Sequence, residues 1–300
     1  MFEENRLSIG LALPAQKRER ADIDFAVQLD LVRAAEANGF SAVWVRDVPL
    51  NNPDYPDPVG HSDPFVLLAA IAATTKSIML VTGAIVLTLR HPLHVAKAAL
   101  SLQALSGGRL ILGLGSGDRP TEFAVFGQSF EERKASFRTN WDILASALEH
   151  EALVPETLGG ANGDFSIRPR SSSRVPMLAV GSASQSLEWI SRNAVGWATY
   201  HRDYALQKDR IGLWHTAIAK TGAGFKSFSQ SLNLELVDDP QSPTESINLG
   251  YRCGRIELVR HLLDLKELGV HHVMINLTEG SRPETEVIEE IGTSVLPELN

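Results

Sequence analysis

"RLILGLGSGDRP", residues Arg109 to Pro120, runs from an apolar stretch into three glycines and a serine. An apolar run of this length suits a buried strand, and bare glycine backbone beyond it leaves room for a flat or anionic ligand. A dinucleotide fingerprint would need G-x-G-x-x-G opening a helix after the first strand, with an acid about 20 residues further on. Here Gly113, Gly115 and Gly117 place the third glycine one position early, Asp118-Arg119-Pro120 follows at once, and the strand is fourth in the chain. The segment therefore reads as one loop of another parallel α/β architecture.

Working outward, the other strand candidates are Leu7–Leu13, Ala42–Arg46, Ile78–Leu87, Met177–Val180, Gly196–Tyr200, Ser231–Val237 and His271–Leu277. They are near-continuous apolar runs, as expected for parallel strands covered by helices on their outer side. Helical patterns lie between them. Asp22 is placed to cap a helix with Phe25, Leu29 and Val32 on one face, ended at Gly39. Phe137, Trp141, Leu144 and Leu148 form a second stripe, and Ile256, Val259 and Leu263 a third, closed by Gly269. Eight strand–helix units in 300 residues predict an α/β fold of the (β/α)8 TIM-barrel type, as one domain over residues 1–300; a doubly wound sheet is the alternative. Two segments exceed plain connections: Glu151–Pro176 before strand five and Asp238–Gly254 after strand seven. The second would sit on the C-terminal face of a barrel, either as a lid or as a loose insertion.

"DPFVLLAAIAATT", Asp63 to Thr75, is apolar almost all round. A barrel's outer helix buries only one side, so the other side is expected either to meet a second subunit, giving a homodimer, or to lie under the chain's own loops. The net charge of -8 argues against nucleic acid or an anionic membrane as the main partner. Cys253 is the single cysteine, so no internal disulfide forms, which fits a reducing, cytoplasmic setting. "MFEENRLSIG" carries acids where a secretory signal would be basic, and no apolar run approaches the roughly 20 residues of a membrane span. The nine histidines show no H-E-x-x-H spacing, and no metal is expected.

In a barrel, Gly115, Ser116 and Gly117 stand at the C-terminal tip of strand four. "AVGSASQSLEW", Ala179 to Trp189, makes a comparable tip on strand five, where Gly181, Ser182, Ala183 and Ser184 lead toward a helix. Backbone amides and hydroxyls in such a loop suit a phosphate; plain helix capping by Ser182 or Ser184 is the competing reading.

In this order the motifs resemble the bacterial luciferase-like flavin monooxygenases, a barrel superfamily shared with deazaflavin-dependent reductases. The resemblance runs through "FSAVWVRDVP", "VTGAIVLTLRHPLHVAKAALSLQALSGGRLILGLGSGDRPTEFAVFG" and "GSASQSLEW". It implies FMN, with its ring on the third-strand segment at Gly83 and Ala84, where the family often has a non-proline cis peptide, and its phosphate near the strand-four and strand-five loops. Generic barrel experience would instead put the phosphate near "NLTEG", after strand eight. The resemblance further implies reduced FMN and oxygen acting on a small-molecule substrate, with a separate flavin reductase supplying the reduced flavin. Hydride transfer with the deazaflavin coenzyme F420 is the alternative, its acidic tail calling for a basic trough from Arg119, Arg168, Arg170 or Arg174. A non-catalytic flavin-binding barrel is a third reading. One departure matters: luciferases proper end strand two in Glu-His, and the matching positions here are Asp47 and Val48. Asp47 and Arg46 therefore either contact the reacting centre or pair with each other to hold the loop. His91 either serves as a hydrogen-bond donor or general acid, or caps the helix that Pro92 begins. Arg90 either offsets charge on the flavin or stays in solvent. His61 and Tyr55, in "NNPDYPDPVGHSD", are expected over the barrel mouth, with Tyr55 near substrate.

Overall fold

The computed structural model describes residues 3–16, 22–52, 54–55, 59–149, 166–278 and 280–299. Within them the apolar runs pair side by side as β1 (Ser8–Leu13), β2 (Ala42–Val45), β3 (Met79–Thr82), β4 (Ile85–Val86), β5 (Leu110–Gly115), β6 (Met177–Val180), β7 (Gly196–Thr199), β8 (Ser227–Leu236), β9 (Glu245–Ile247), β10 (Gly250–Cys253) and β11 (His272–Asn276). The helices α1 (Phe25–Ala37), α2 (Pro64–Thr74), α3 (Pro92–Leu105), α4 (Pro120–Val125), α5 (Arg133–Leu148), α6 (Leu187–Asn193), α7 (Tyr204–Thr221), α8 (Arg255–Glu267) and α9 (Glu284–Glu290) alternate with them. Parallel pairing runs from β1 through β8 and returns, because β11 pairs with both β8 and β1. The sheet is thus a closed eight-stranded barrel, with β3 and β4 together making the third stave, and the doubly wound alternative is excluded. Among the described residues no helix is long and apolar enough to cross a membrane.

Two cores follow from the closure. The larger lies between strands and helices and contains Phe137, Trp141, Leu144 and Leu148, the second predicted stripe. The smaller fills the barrel interior with Ala42, Trp44, Val81, Ile111, Leu178 and Ala198. Two other stripes are rotated from their predicted faces. In α1 the buried residues are Gln28, Leu31, Val32 and Ala35, while Phe25 is exposed. Gln28 is tolerated inside because its Oε1 accepts from Ala15 N at 2.8 Å and its amide donates to Gln16. In α8 the chain offers a competing stripe, and Leu258, Leu262 and Leu265 enter the core while Ile256 and Leu263 face outward. The cap of α1 is Asp24, which accepts from Val27 N, rather than Asp22.

The third strand departs most from its prediction. Between Val81↔Ile111 and Ile85↔Leu114 the β3–β4 side advances four residues against three on β5, which is a bulge. It lies at Gly83-Ala84, whose peptide bond is cis. A Cβ on Gly113 opposite it would come within 1.9 Å of Thr82 O, so only glycine lets the two backbones approach this closely. β8 starts four residues before its predicted beginning because Ser227, Ser229 and Gln230, buried at its first half, hide the apolar signal.

Residues 151–165 of the first long segment lie outside the described residues. The second, Asp238–Gly254, is neither loose nor a cover: β9 and β10 form an antiparallel hairpin, and β10 adds parallel to β8 from Gly250↔Asn233 to Cys253↔Leu236.

Candidate active site

Closing the barrel brings the strand tips together around a cavity of about 670 Å³. Arg46, Asp47, Gly83, Ala84, Gly115, Ser116, Gly117, Gly181, Ser182, Ala183 and Ser184 all line it. His91 does not. It is exposed, its Nδ1 accepts from Leu93 N at 3.3 Å as the N-cap of α3, and its ring meets His94 edge-on. The capping reading is correct for His91, since Pro92 starts the helix immediately after it and turns the imidazole back onto the first turn.

One side of the cavity is apolar. Trp44, Gly83, Ala84, Val86 and Met274 line it. The indole is buried, and a Cβ on Gly83 would stand 2.7 Å from its Cε3, so Gly83 lies directly against the ring. The Trp44 N–H is satisfied within the barrel by His272 Nε2 at 2.9 Å.

Another side is built from backbone. Gly181, Ala183 and Ser184 have φ of 65°, 46° and 54°. Left-handed conformations are unusual for non-glycine residues, and here they bend a short loop into a concave rim. Ser116 Oγ and Ser184 Oγ are 3.0 Å apart, so the strand-four and strand-five tips of the sequence reading meet. Ser182 stabilises the turn by accepting from Ser184 N at 3.2 Å, and the cap of α6 is Ser186, so neither Ser182 nor Ser184 is spent on capping. Arg138 and Lys134 O hold Gln185 from α5, which locks the loop from behind. Among the described residues of the loop after β11, none lines the cavity, and Asn276 Oδ1 accepts from Thr278 N and Oγ1.

The charged rim is organised differently from its prediction. Asp47 pairs with Arg90 and not with Arg46. Asp47 Oδ2 accepts from Arg90 Nε at 2.8 Å and Val86 N at 3.1 Å, and Oδ1 accepts from Arg90 Nη2 at 2.7 Å. Arg90 also donates to Asp63 Oδ2 at 2.9 Å, tying the end of β2 to the cap of α2. Burial works against the Arg90 charge, but the hydrogen bonds and charge of Asp47, then of Asp63, raise its pKa. Arg90 is therefore neither a solvent charge nor a cavity residue.

Sequence reasoning missed Trp44, Glu122, Arg133, Arg202 and Arg210, which also line the cavity. Arg119 lines it beside Tyr55, whose ring lies 5.8 Å from the guanidinium; of the four arginines expected to make a basic trough, Arg168, Arg170 and Arg174 do not line it. Glu122 is buried, its Oε1 lies 3.5 Å from Arg119 Nη1, and beyond that ion-pair contact the oxygen has no hydrogen-bond partner among the described residues. Burial raises its pKa, Arg119 opposes the rise, and Asp118 and Asp47 add to it. Arg210 donates to Thr199 Oγ1 and Tyr200 O; burial, then the neighbouring Arg202 charge, lowers its pKa. Two adjacent cations at a cavity wall favour an anionic ligand. A signal existed only for Trp44, two places after Ala42 on the inward-facing side of β2.

A closed parallel barrel with a ligand cavity at the C-terminal ends of its strands is the enzyme-bearing form of this fold. The chain belongs to the luciferase-like monooxygenase family, whose model matches residues 8–239. It is 30% identical over 183 residues to the F420-dependent hydroxymycolic acid dehydrogenase of Mycobacterium tuberculosis, covering 57% of this chain and 48% of that protein. It is 32% identical over 125 residues to the 4-hydroxyprotoasukamycin monooxygenase of Streptomyces nodosus subsp. asukaensis, covering 41% and 33%. These matches thus span half or less of the relatives' own length. Among solved structures, the oxygenating constituent of 3,6-diketocamphane monooxygenase of Pseudomonas putida, a type II Baeyer-Villiger enzyme in complex with FMN, superposes with a TM-score of 0.73 at 14% identity, covering 98% of both chains. That likeness extends to the fold.

Proposed function

We propose that the chain is an FMN-dependent monooxygenase acting on a small organic substrate, in the cytoplasm, with a separate flavin reductase delivering reduced FMN. The observation that carries this reading is the presence, within one cavity, of apolar lining at Trp44, Gly83 and Ala84 together with hydroxyls and left-handed backbone at Ser116 and Gly181–Ser184. A flat ring and a single phosphate need these two surfaces together. The residues fit the group: Gly115 and Gly117 present bare backbone, Arg133 adds positive charge at the wall, and Ala84 completes the floor. Reduced FMN held there would supply the two electrons with which one atom of oxygen enters the substrate and the other leaves as water.

The chain's own groups bind, orient and exclude water. Asp47, fixed by Arg90, holds Val86 N beside the floor, and Arg46 stands next to it as a polar contact for the reacting centre. His91, once a candidate for that role, has none in this reading. The homodimer proposal rests on α2, where Val66 stays 62% exposed on an apolar helix; light scattering of the purified protein tests it.

One observation favours a second reading, hydride transfer with F420. Arg119, Arg133, Arg202 and Arg210 give the cavity more cationic wall than one phosphate requires, and an acidic cofactor tail would use it. Titrating the purified protein with FMN and with F420, followed by absorbance and fluorescence, separates the two. FMN binding and substrate-dependent oxygen consumption with reduced FMN are expected. Binding of F420 without FMN would reverse the choice, and FMN binding with no oxygen consumption on any substrate would favour a non-catalytic flavin barrel.

A further inference from the structure

Beneath the cavity floor lies a buried polar chain that the functional reading does not use. Ser8 in β1, His272 in β11 and Trp44 in β2 meet inside the barrel. The hydrogen bonds run in one direction only. Ser8 Oγ–H donates to His271 O at 3.1 Å, so its 2.7 Å contact with His272 must be accepted from Nδ1–H. With the proton on Nδ1, Nε2 carries the lone pair and accepts from the Trp44 N–H at 2.9 Å. The indole and imidazole planes lie within 21° of each other, with ring centroids 5.6 Å apart. No other tautomer satisfies all three partners.

The space around the chain is cut to the same pattern. A Cβ on Gly10 would stand 2.6 Å from His272 Nε2, and a Cβ on Gly83 would stand 2.7 Å from Trp44 Cε3. Glycine at both places lets the two rings sit where the hydrogen bond needs them. His272 is fully buried, and burial pushes its pKa down to about 3, so the imidazole stays a neutral acceptor through the working range. Trp44 is the member of the chain that lines the cavity.

We infer that His272 is a positioning residue: held in one tautomer by Ser8, it fixes the indole of Trp44 as the floor on which the ring of the bound cofactor lies. An apolar residue at position 272 would leave the indole N–H unsatisfied in the barrel and free the ring to tilt into the cavity. The functional half of this inference rests on the ring-binding reading of the cavity; the structural half does not.

The test compares His272→Leu with His272→Gln, whose carbonyl can replace the acceptor, and uses Trp44→Phe to assign the indole N–H resonance in a nitrogen–proton correlation spectrum. In the wild type and His272→Gln that resonance should lie downfield, with FMN affinity nearly equal. In His272→Leu it should move upfield while FMN affinity falls about tenfold, the loss expected for one preorganising hydrogen bond. Should His272→Leu fail to fold, Ser8→Ala, which releases the tautomer without removing the ring, is read by the same two signals and should move both in the same direction. An unmoved resonance, or unchanged FMN affinity despite a moved one, would overturn the inference. If the wild type binds neither FMN nor F420, the cofactor reading fails, and the resonance alone decides whether His272 holds the indole.

Discussion

Asp47 shows how one side chain can line a cavity and still be occupied elsewhere. Its carboxylate is 1% exposed and takes three donors, two from Arg90 and one from Val86 N. Asp47→Asn would leave the half-buried guanidinium with Asp63 as its one carboxylate partner and turn an amide NH2 toward a donor, and breaking such a pair costs more than the pair itself contributes. A loss of about 2 kcal/mol in urea unfolding is expected, below the fully buried range because Arg90 keeps some solvent. His91→Ala gives the contrast: loss of a long N-cap bond, about 0.5 kcal/mol, with ligand affinity unchanged. A His91→Ala protein of normal stability but without activity would return His91 to the site. The position of the rim glycines and serines at strand tips lining the cavity was legible because they directly end apolar strand runs. Arg133, Arg202 and Arg210 were not, since scattered arginines read as solvated surface until the barrel closes around them; for Trp44 the register with Ala42 marked the inward face, but a strand tryptophan there reads equally as core.

At the scale of elements, strand type and order were legible because parallel strands bury both faces. The faces of α1 and α8 were not, because each offers two apolar stripes and the larger core chooses between them. The broken third stave left its trace only in Gly83, where a strand bulge and a close ring contact look alike in sequence. Its entry is fixed by a helix: Glu36 near the end of α1 accepts from Lys76 N, Ser77 N, Ser77 Oγ and Ile78 N, just before β3. Burial alone would raise the Glu36 pKa, but the hydrogen bonds from Ser77, Ile78 and Lys76 lower it to about 2. A depressed carboxyl stabilises the fold above its unfolded value, 4.5, and loses that contribution as pH falls toward 2. Glu36→Gln should therefore cost about 1 kcal/mol at neutral pH, after allowance for solvent screening. The gap should narrow below pH 4.5 and close near 2; a gap that stays constant from pH 7 to 3 would show that shape rather than charge is responsible.

For the whole molecule, barrel closure buries histidines at several points of the ring, and their proton affinities act together. Burial lowers the pKa of His272 to about 3 and of His201 to about 4, and it lowers those of His261 and His271 as well. Each is neutral in the folded protein below its unfolded value of 6.5, where the released chain would take up a proton. A base with a depressed folded pKa has the opposite sign from the common salt-bridged histidine: stability is complete above 6.5 and declines as pH falls toward the folded value. Each group adds up to about 1.4 kcal/mol per pH unit to that slope. Acid destabilisation should therefore begin between pH 6.5 and 5, before carboxylates such as Glu36 start to protonate. Calorimetric unfolding at pH 5.5 in two buffers of different ionisation enthalpy should register an uptake of about two to four protons, and His272→Gln should reduce it by about one. An uptake near zero would mean that these imidazoles reach solvent in the folded state, and the inward-facing polar chain under the cavity would not be closed to water.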